Sequence, residues 1–268
     1  MLERLLKSDT PRLVPMRPRD VDRVLGIIAQ TDDDDRDTAE ETFRREGLGG
    51  MDVLVLRGEV VGVTGHHIDA QTDGAAWLSW TYLDRRSRGQ GLGRHMIDTL
   101  LARLAGQGVR KIFIDTSDYS EDGRLIYADA HRLYEEFGAE VEMRVPDYFE
   151  PGEARIVYAL ENTHAPDAVT PPEPATGWRV TGLDGVPETE DAAMLVWEAT
   201  GHGVSGLDTA MEDAREGRAR FVAVSLPSDI SELASGDLTR QGFQQAGQLK
   251  DYHRRGLHQD WWISRPGA

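Results

Sequence analysis

Apolar positions recur along the chain with the periods of strands and amphipathic helices. Residues 75–83 form a nearly continuous apolar run that predicts a buried strand, and residues 109–115 predict another. Between them, residues 91–104 carry apolar side chains with the spacing of one helix face. A glycine-rich turn, RGQGLGR at residues 88–94, joins the first strand to this helix. The apolar face of the helix comprises Met96, Ile97, Leu100, Leu101 and Leu104.

The glycine-rich turn has the properties of a phosphate site. Where a chain enters a helix, the first backbone N–H groups lack partners within the helix, and the helix dipole adds partial positive charge there. Glycine at three positions lets a ligand approach the backbone with no Cβ in the way. The spacing excludes a P-loop, which needs GxxxxGK[ST], and a dinucleotide fingerprint, which needs GxGxxG. We therefore predict that this turn binds phosphate or pyrophosphate.

The segments around the turn predict an ordered series of elements. The order is β, α, α, β, β, β, glycine turn, α, β, α, β, β. The further strands are predicted at residues 13–16, 51–56, 60–63, 141–145 and 155–160, and the further helices at 19–30, 37–46 and 124–137.

This order and the pattern Arg88-x-x-Gly91-x-Gly93 resemble the GNAT superfamily of acyl-CoA-dependent N-acetyltransferases, over roughly residues 11–161. Residues 130–138, AHRLYEEFG, are similar to the family segment A-x-x-(F/L)-Y-E-x-x-G. The resemblance implies an α/β (α+β) fold with a mixed central sheet flanked by helices. It also implies acetyl-CoA as cosubstrate.

The resemblance assigns roles to individual residues. Tyr134 is implied as the general acid that protonates the departing thiolate. Backbone groups around Tyr82 and Leu83 are implied to hold the pantetheine and the acetyl carbonyl. The CoA pyrophosphate is implied to lie on Arg88, Gly89, Gln90, Gly91, Leu92, Gly93 and Arg94.

The general base stays open. Tyr127 stands where many family members have asparagine, and the strand at 75–83 holds no carboxylate. Ordered water is one alternative, and the side chains that could serve are His66, His67, Asp115 and Asp118.

An acidic run, residues 32–35, lies between the first two predicted helices. In this family that segment borders the acceptor cleft. The run could attract a basic substrate, or it could be a solvated loop or helix N-terminus. Tyr148 and Phe149 are expected to flank the same cleft and could pack on an aliphatic acceptor.

The net charge and the absence of cysteine limit the classes of partner and of chemistry that the chain can have. Acidic residues number 47 against 30 basic ones, giving a net charge of −17. This charge argues against nucleic acid and anionic membranes, and it either favours cationic acceptors such as amines or serves solubility alone. The chain has no cysteine, so disulfides and thiol nucleophiles are excluded and acyl transfer is expected to be direct.

Sequence also bears on location and on metal binding. No apolar stretch approaches the roughly 20 residues that span a bilayer. Residues 1–7 are too short and charged for a secretory signal, which predicts a cytoplasmic protein. A predicted hairpin would scatter His253, His258, Asp251 and Asp260 over both faces, so no metal is assigned.

The second half resembles a shortened copy of the first. Residues 162–176 are proline-rich and predict a linker, followed by a partial GNAT-like domain at 177–268 with no CoA turn and a structural role. It could cover the first domain or support a homodimer. Its first strand is predicted at 177–180 and its first helix at 188–199. With an offset of 104 residues, the matching pairs are Gly138/Gly242, Asp147/Asp251, Tyr148/Tyr252 and Gly152/Gly256.

Three hypotheses follow. The first is an N-acetyltransferase that moves an acetyl group from acetyl-CoA to a primary amine of a small molecule. The second is a CoA-binding sensor without turnover, suggested by Tyr127 and the missing base. The third is a purely structural tandem protein, which the intact arginine-rich turn argues against.

Overall fold

One continuous sheet of thirteen strands runs through both halves of the described chain. The structure is a computed structural model, and it describes residues 9–163, 165, 177–186, 189, 191–200 and 203–266. The predicted linker at 162–176 lies almost wholly outside these residues. The strands are β1 (Arg12–Pro15), β2 (Met51–Leu56), β3 (Glu59–Ile68), β4 (Ala75–Leu83), β5 (Lys111–Ser117), β6 (Ser120–Glu121), β7 (Arg124–Leu125), β8 (Glu140–Val145), β9 (Arg155–Glu161), β10 (Gly177–Gly185), β11 (Ala192–Ala199), β12 (Gly203–Ser205), β13 (Phe221–Pro227), β14 (Gln244–Arg254) and β15 (Leu257–Ser264). The helices are α1 (Val21–Ile28), α2 (Asp33–Glu46), α3 (Leu92–Ala105), α4 (Ala128–Glu136), α5 (Leu207–Glu216) and α6 (Ser228–Arg240).

The predicted mixed sheet with flanking helices is confirmed in the first half. Its strands lie in the order β1-β2-β3-β4-β5-β9-β8, all antiparallel neighbours except the parallel pair β4 and β5. Helix α3 buries the predicted apolar face, all five of whose residues are buried against the sheet.

Helix α4 is shorter than the predicted 124–137. Residues 120–125 instead form the β6–β7 hairpin, whose turn holds Asp122 at φ 51° and Gly123 at φ 75°. The Asp-Gly pair favours such a turn because both residues tolerate positive φ. The helix therefore begins only after the hairpin, with Tyr127 at its N-cap.

Strand β4 diverges from β5 halfway along its length. The two strands pair only from Ala75 to Leu78 on β4. Next comes a β-bulge, in which Thr64 of β3 opposes both Trp80 and Thr81, and Trp80 has a φ of 46°. Beyond the bulge β4 follows β3 while β5 follows β9, so a gap opens between the ends of β4 and β5.

The second half continues the sheet in mirrored order. Outward from the centre, the first half reads β8-β9-β5-β4-β3 and the second reads β14-β15-β13-β11-β10, with matching strand directions. The halves meet where Met143 of β8 pairs with Gly247 of β14, two residues that are themselves 104 positions apart. This arrangement is the one that a tandem repeat would produce, and the repeat stays a prediction.

The prediction of a helix at 188–199 is wrong, because residues 192–199 form strand β11. The segment AAMLVWEA is rich in good helix formers, but it pairs with β10 on one side and β13 on the other. Sheet pairing and burial against these neighbours override the local preference.

Two arginines clamp the halves together reciprocally. Arg110, just before β5, donates from Nη2 to the carbonyl of Tyr252 at 3.3 Å. Arg220, just before β13, donates from Nη2 to the carbonyl of Tyr148 at 3.1 Å, and it also bonds the carbonyls of Asp147 and Phe149. Each half therefore holds the hairpin of the other.

A shared core lies under this junction. Met143, Val157 and Phe113 of the first half pack in one buried cluster with Leu249 and Phe221 of the second. Because these side chains leave water together, we expect the two halves to unfold as one cooperative unit.

The close packing at the β8–β14 junction predicts that one methyl group added at Gly247 lowers the stability of the fold. A Cβ at Gly247 would lie 2.6 Å from Cγ and 2.9 Å from Cβ of Met143. We expect Gly247→Ala to lower the free energy of unfolding by about 1–3 kcal/mol, the usual cost of overpacking. Urea denaturation followed by tryptophan fluorescence measures this.

The matched control is Gly182→Ala in β10, where the added Cβ meets no heavy atom within 4 Å. It should leave stability unchanged or slightly higher, since alanine restricts the unfolded chain. Equal stability of the two variants would show that the β8–β14 junction is not formed as described.

Candidate active site

The gap between β4 and β5 is the centre of the candidate site. A strand that loses its neighbour on one side keeps unpaired backbone N–H and C=O groups along that edge. Ser79 to Leu83 of β4 are in this situation, since their only strand neighbour is β3. Two carbonyls in this stretch accept side-chain hydrogen bonds: that of Ser79 from Thr81 and that of Leu83 from Arg88. The edge can thus hydrogen-bond an extended ligand that enters the gap.

The glycine-rich turn lies directly at the end of this edge. Buried Asp84 starts it by accepting the backbone N–H of Arg86 at 2.9 Å, and its carboxylate also bonds Arg23. Gly89 and Gly91 have φ values of 71° and 74°, and a Cβ on either would meet nothing within 4 Å. The backbone here is open to a ligand and adopts a conformation that favours glycine.

Gly93 serves packing instead. A Cβ there would lie 3.2 Å from Leu83 and 3.3 Å from Leu133, so its absence lets the first turn of α3 approach β4 and α4 closely. The three glycines therefore have two different roles, and the sequence pattern alone does not separate them.

The charges around the turn suit an anion. The first turn of α3 contains no acidic residue, whereas that of α2 contains three. Arg88 contacts the carbonyl of Leu83 at 3.3 Å and the hydroxyl of Thr31 at 3.2 Å. Arg94 contacts Glu136 at 3.3 Å and lies half-exposed. Along the chain, Arg88 precedes the N-cap Gly91 and Arg94 lies in the first turn of α3, where the dipole is positive.

Tyr134 lies on the α4 side of the gap. It is buried, packs beside Tyr158 with the ring centroids 6.0 Å apart, and hydrogen-bonds the side chain of Thr81 in the bulge. Thr81 in turn lies 3.0 Å from the hydroxyl of Thr64. Burial raises the pKa of Tyr134 to about 12, so its phenol stays protonated at neutral pH.

A carboxylate faces the same gap from helix α2. Oδ2 of Asp35 accepts hydrogen bonds from the phenols of Tyr82, at 2.8 Å, and Tyr127, at 3.0 Å. Burial raises the pKa of Asp35, and the nearby charges of Asp32 and Asp34 add to the effect, while the two phenols oppose it. Strand β4, helix α2 and helix α4 thus meet at one carboxyl group.

The family model described as acetyltransferase (GNAT) family matches residues 26–139, which contain the gap, the turn, Asp35 and Tyr134. Residues 26–139 are a GNAT acetyltransferase domain. The chain is accordingly an acyltransferase, and the predicted family resemblance is confirmed.

Solved structures similar to the chain include several acetyltransferases. A putative GNAT acetyltransferase from Desulfovibrio desulfuricans has 21% identity, covers 57% of this chain and 99% of its own, and gives a TM-score of 0.48. The ribosomal-protein-S18-alanine N-acetyltransferase from Escherichia coli has 19% identity, with 60% and 99% coverage and a TM-score of 0.48. The aminoglycoside 6'-N-acetyltransferase from Enterococcus faecium has 16% identity, with 59% and 99% coverage and a TM-score of 0.46. No curated protein matches the chain in sequence.

The GNAT domain brings the predicted site residues together. Tyr82 and Leu83 end β4, the turn follows at 88–94, and Tyr134 approaches Thr81 from α4. Their roles as acid and as CoA contacts stay predictions.

The candidate bases named from sequence are held by other partners. Asp115 pairs with Arg155, and Asp118 accepts the N–H of Ala154 at 2.6 Å and pairs with Arg144. Burial of Asp118 would raise its pKa, but these bonds outweigh burial and the pKa is lowered.

The paired histidines differ in their surroundings. His67 is exposed, while His66 is half-buried with Nδ1 3.9 Å from Asp52. Burial lowers the pKa of His66 despite that carboxylate. Neither makes a described contact with Tyr134, Thr81 or Tyr82.

Asp35 is the site residue that sequence reasoning did not separate from its neighbours. Asp32 is the N-cap of α2 and accepts the N–H of Asp34 at 2.7 Å, while Asp33 and Asp34 are exposed. Only Asp35 turns inward. The signal was present: Asp35, Ala39 and Phe43 recur every four residues, and the latter two are buried.

Two absences hold for the described residues. No group of three or more histidine, aspartate or glutamate side chains there is arranged to hold a metal ion. Nor does any helix in that part of the chain have both the length and the apolarity needed to cross a bilayer.

Proposed function

We propose that the chain is an N-acetyltransferase that moves an acetyl group from acetyl-CoA directly to a primary amine of a small molecule. The observation that carries the proposal is the open glycine-rich turn at the end of a splayed strand edge, inside a GNAT domain. A protein that had lost CoA binding would have no need for both features together.

The residues present fit acetyl-CoA. Gly89, Gly91 and the N-terminal end of α3 offer open backbone N–H groups to the pyrophosphate, with Arg88 and Arg94 beside them. Gln90 and Leu92 complete the turn between the glycines. The free edge of β4 at Tyr82 and Leu83 can bond the amide groups of the pantetheine, which brings the thioester toward Thr81.

The thioester supplies an acyl group with a good leaving group. The backbone N–H groups at the β4 bulge can stabilise negative charge that develops on the carbonyl oxygen. Tyr134 can donate its proton to the departing thiolate, because its raised pKa keeps the phenol protonated across the working pH range.

The charges around the gap favour a cationic acceptor. Burial is the first cause that raises the pKa values of Tyr119 and Tyr127, and the charges of Asp32 and Glu153 add to both shifts. Asp34 adds to the shift of Tyr119, and Asp35 to that of Tyr127. These carboxylates come from α2 and from the β8–β9 hairpin. An amine that is protonated in solution is attracted to such a cleft.

In this proposal the second half has no CoA site of its own and instead supports the cleft. Its turn before α5 is used by the sheet: β12 pairs with β10, and a Cβ at Gly206 would lie 2.2 Å from the carbonyl oxygen of Val180. The first turn of α5 also holds Asp208, which would repel phosphate. Through Arg220 this half fixes the β8–β9 hairpin, one wall of the cleft.

The turn can be tested by direct binding. Arg88→Ala combined with Gly91→Ala removes a cation and strains a φ of 74°, which costs a non-glycine residue about 1–2 kcal/mol. Calorimetric titration should show one acetyl-CoA per wild-type chain and no measurable binding to the double variant.

The control is Arg255→Ala combined with Gly256→Ala, which changes an exposed arginine and a glycine with φ 78° in the β14–β15 hairpin. It should bind acetyl-CoA like the wild type. Undiminished binding by the Arg88/Gly91 variant would refute the site.

The proton donor can be tested with paired tyrosines. Tyr134→Phe should lower kcat for CoA thiol release by about 100-fold or more, the range of general acid catalysis, with acetyl-CoA affinity unchanged. Since the pKa is about 12, deprotonation of Tyr134 should cause no alkaline loss of wild-type activity below roughly pH 10.

Tyr158→Phe is the matched control. Tyr158 is a buried neighbour whose pKa is likewise raised to about 12, first by burial, but its phenol bonds Glu135 at 3.1 Å. It should retain most of the activity. A Tyr134→Phe enzyme as fast as Tyr158→Phe would exclude Tyr134 as the acid.

A further inference from the structure

Two tyrosine phenols fix the orientation of the Asp35 carboxyl group. Both of its phenol partners, Tyr82 and Tyr127, donate to the same oxygen, Oδ2. Tyr82 belongs to the free edge of β4, and Tyr127 is the N-cap of α4, the helix that carries Tyr134. Two rigid elements that border the gap therefore fix the carboxyl plane.

The other oxygen of this carboxyl group is available. Within the described part of the chain, no residue donates a hydrogen bond to Oδ1 of Asp35, and no arginine, lysine or histidine forms an ion pair with it. The residue is half-buried rather than sealed. By contrast, Asp115 and Asp118 are both paired with arginines.

We propose that Asp35 is the catalytic base of the acyl transfer, and that its Oδ1 receives the hydrogen of the attacking amine. The assignment rests on the proposed amine acceptor. The amine loses its ammonium proton to water and attacks in the neutral form. As its nitrogen forms the bond to the thioester carbon, the remaining N–H becomes acidic and one proton passes to Oδ1. The C–S bond then breaks, the thiolate takes a proton from Tyr134, and the products are the N-acetyl amine and CoA thiol.

The surroundings of Asp35 suit this role. The phenols of Tyr82 and Tyr127 keep the carboxylate oriented while leaving Oδ1 free. Asp32 and Asp34, on its own helix, add negative charge, and Glu153 of the β8–β9 hairpin adds charge beside Tyr127. A protonated amine is thereby drawn to Oδ1, and the carboxylate is more basic than an ordinary aspartate.

The test compares Asp35→Asn with Asp33→Asn. Asparagine keeps the shape of Asp35 and can still accept from the two phenols, so the fold should persist. Asp33 lies exposed in the same helical turn and serves as the matched control. CoA thiol release is measured with propylamine, ethanolamine and spermidine as probe amines, beside calorimetric acetyl-CoA affinity.

We expect Asp35→Asn to lower kcat/KM for the amines by 100-fold or more, with acetyl-CoA affinity within twofold of wild type. Asp33→Asn should stay within twofold on both measures. The wild-type activity should rise with pH in an acid limb as Asp35 loses its proton, and again at higher pH as the amine loses its own. The acid limb should be missing from the residual activity of Asp35→Asn, while the rise that the amine causes should remain. A merely structural residue would not remove the limb.

Three results would overturn the assignment. The first is an active wild type together with an Asp35→Asn variant that retains most of the activity or keeps the acid limb. The second is an Asp35→Asn variant that loses acetyl-CoA binding in parallel with activity, which would mark a structural role. Absence of thiol release from the wild type with every probe would refute the proposed function, and the role of Asp35 with it.

Discussion

The divergence of β4 from β5 is the constraint on which the rest of the site depends. One extra residue at the Trp80–Thr81 bulge turns β4 away, which frees its backbone edge and aims it at the glycine-rich turn. Tyr134 and Asp35 approach this gap from two different helices. Without the bulge we expect β4 and β5 to pair along their full length, which would leave no free edge beside the turn.

The second half of the chain supports the strands that border this gap. A sheet that splits between β4 and β5 loses cross-strand bonds there, yet here β5, β9 and β8 continue into β14 and β15. The shared core and the Arg110 and Arg220 clamps hold the strands on the far side of the gap. Rigid support beside an opening is what a preorganised site requires.

Features of the site that depend on contiguous residues can be predicted from the sequence, whereas features that depend on contacts between distant segments cannot. The turn at 88–94 and the buried face of α3 follow from glycine chemistry and helical spacing, which are written in contiguous residues. Asp35 was lost in a run of four aspartates because α2 was predicted to begin at residue 37, four residues after its actual start at Asp33. The bulge leaves no mark on the apolar run of β4. Strand β11 reads locally as a helix, and only pairing with distant strands decides its structure.

Hydrogen–deuterium exchange of the full chain with and without acetyl-CoA tests the central claim most directly, because it reports where the backbone becomes protected. We expect slower exchange at residues 79–94, the free edge and the turn, and no change at residues 205–214, the start of α5. Protection at α5, or none at 79–94, would contradict this claim.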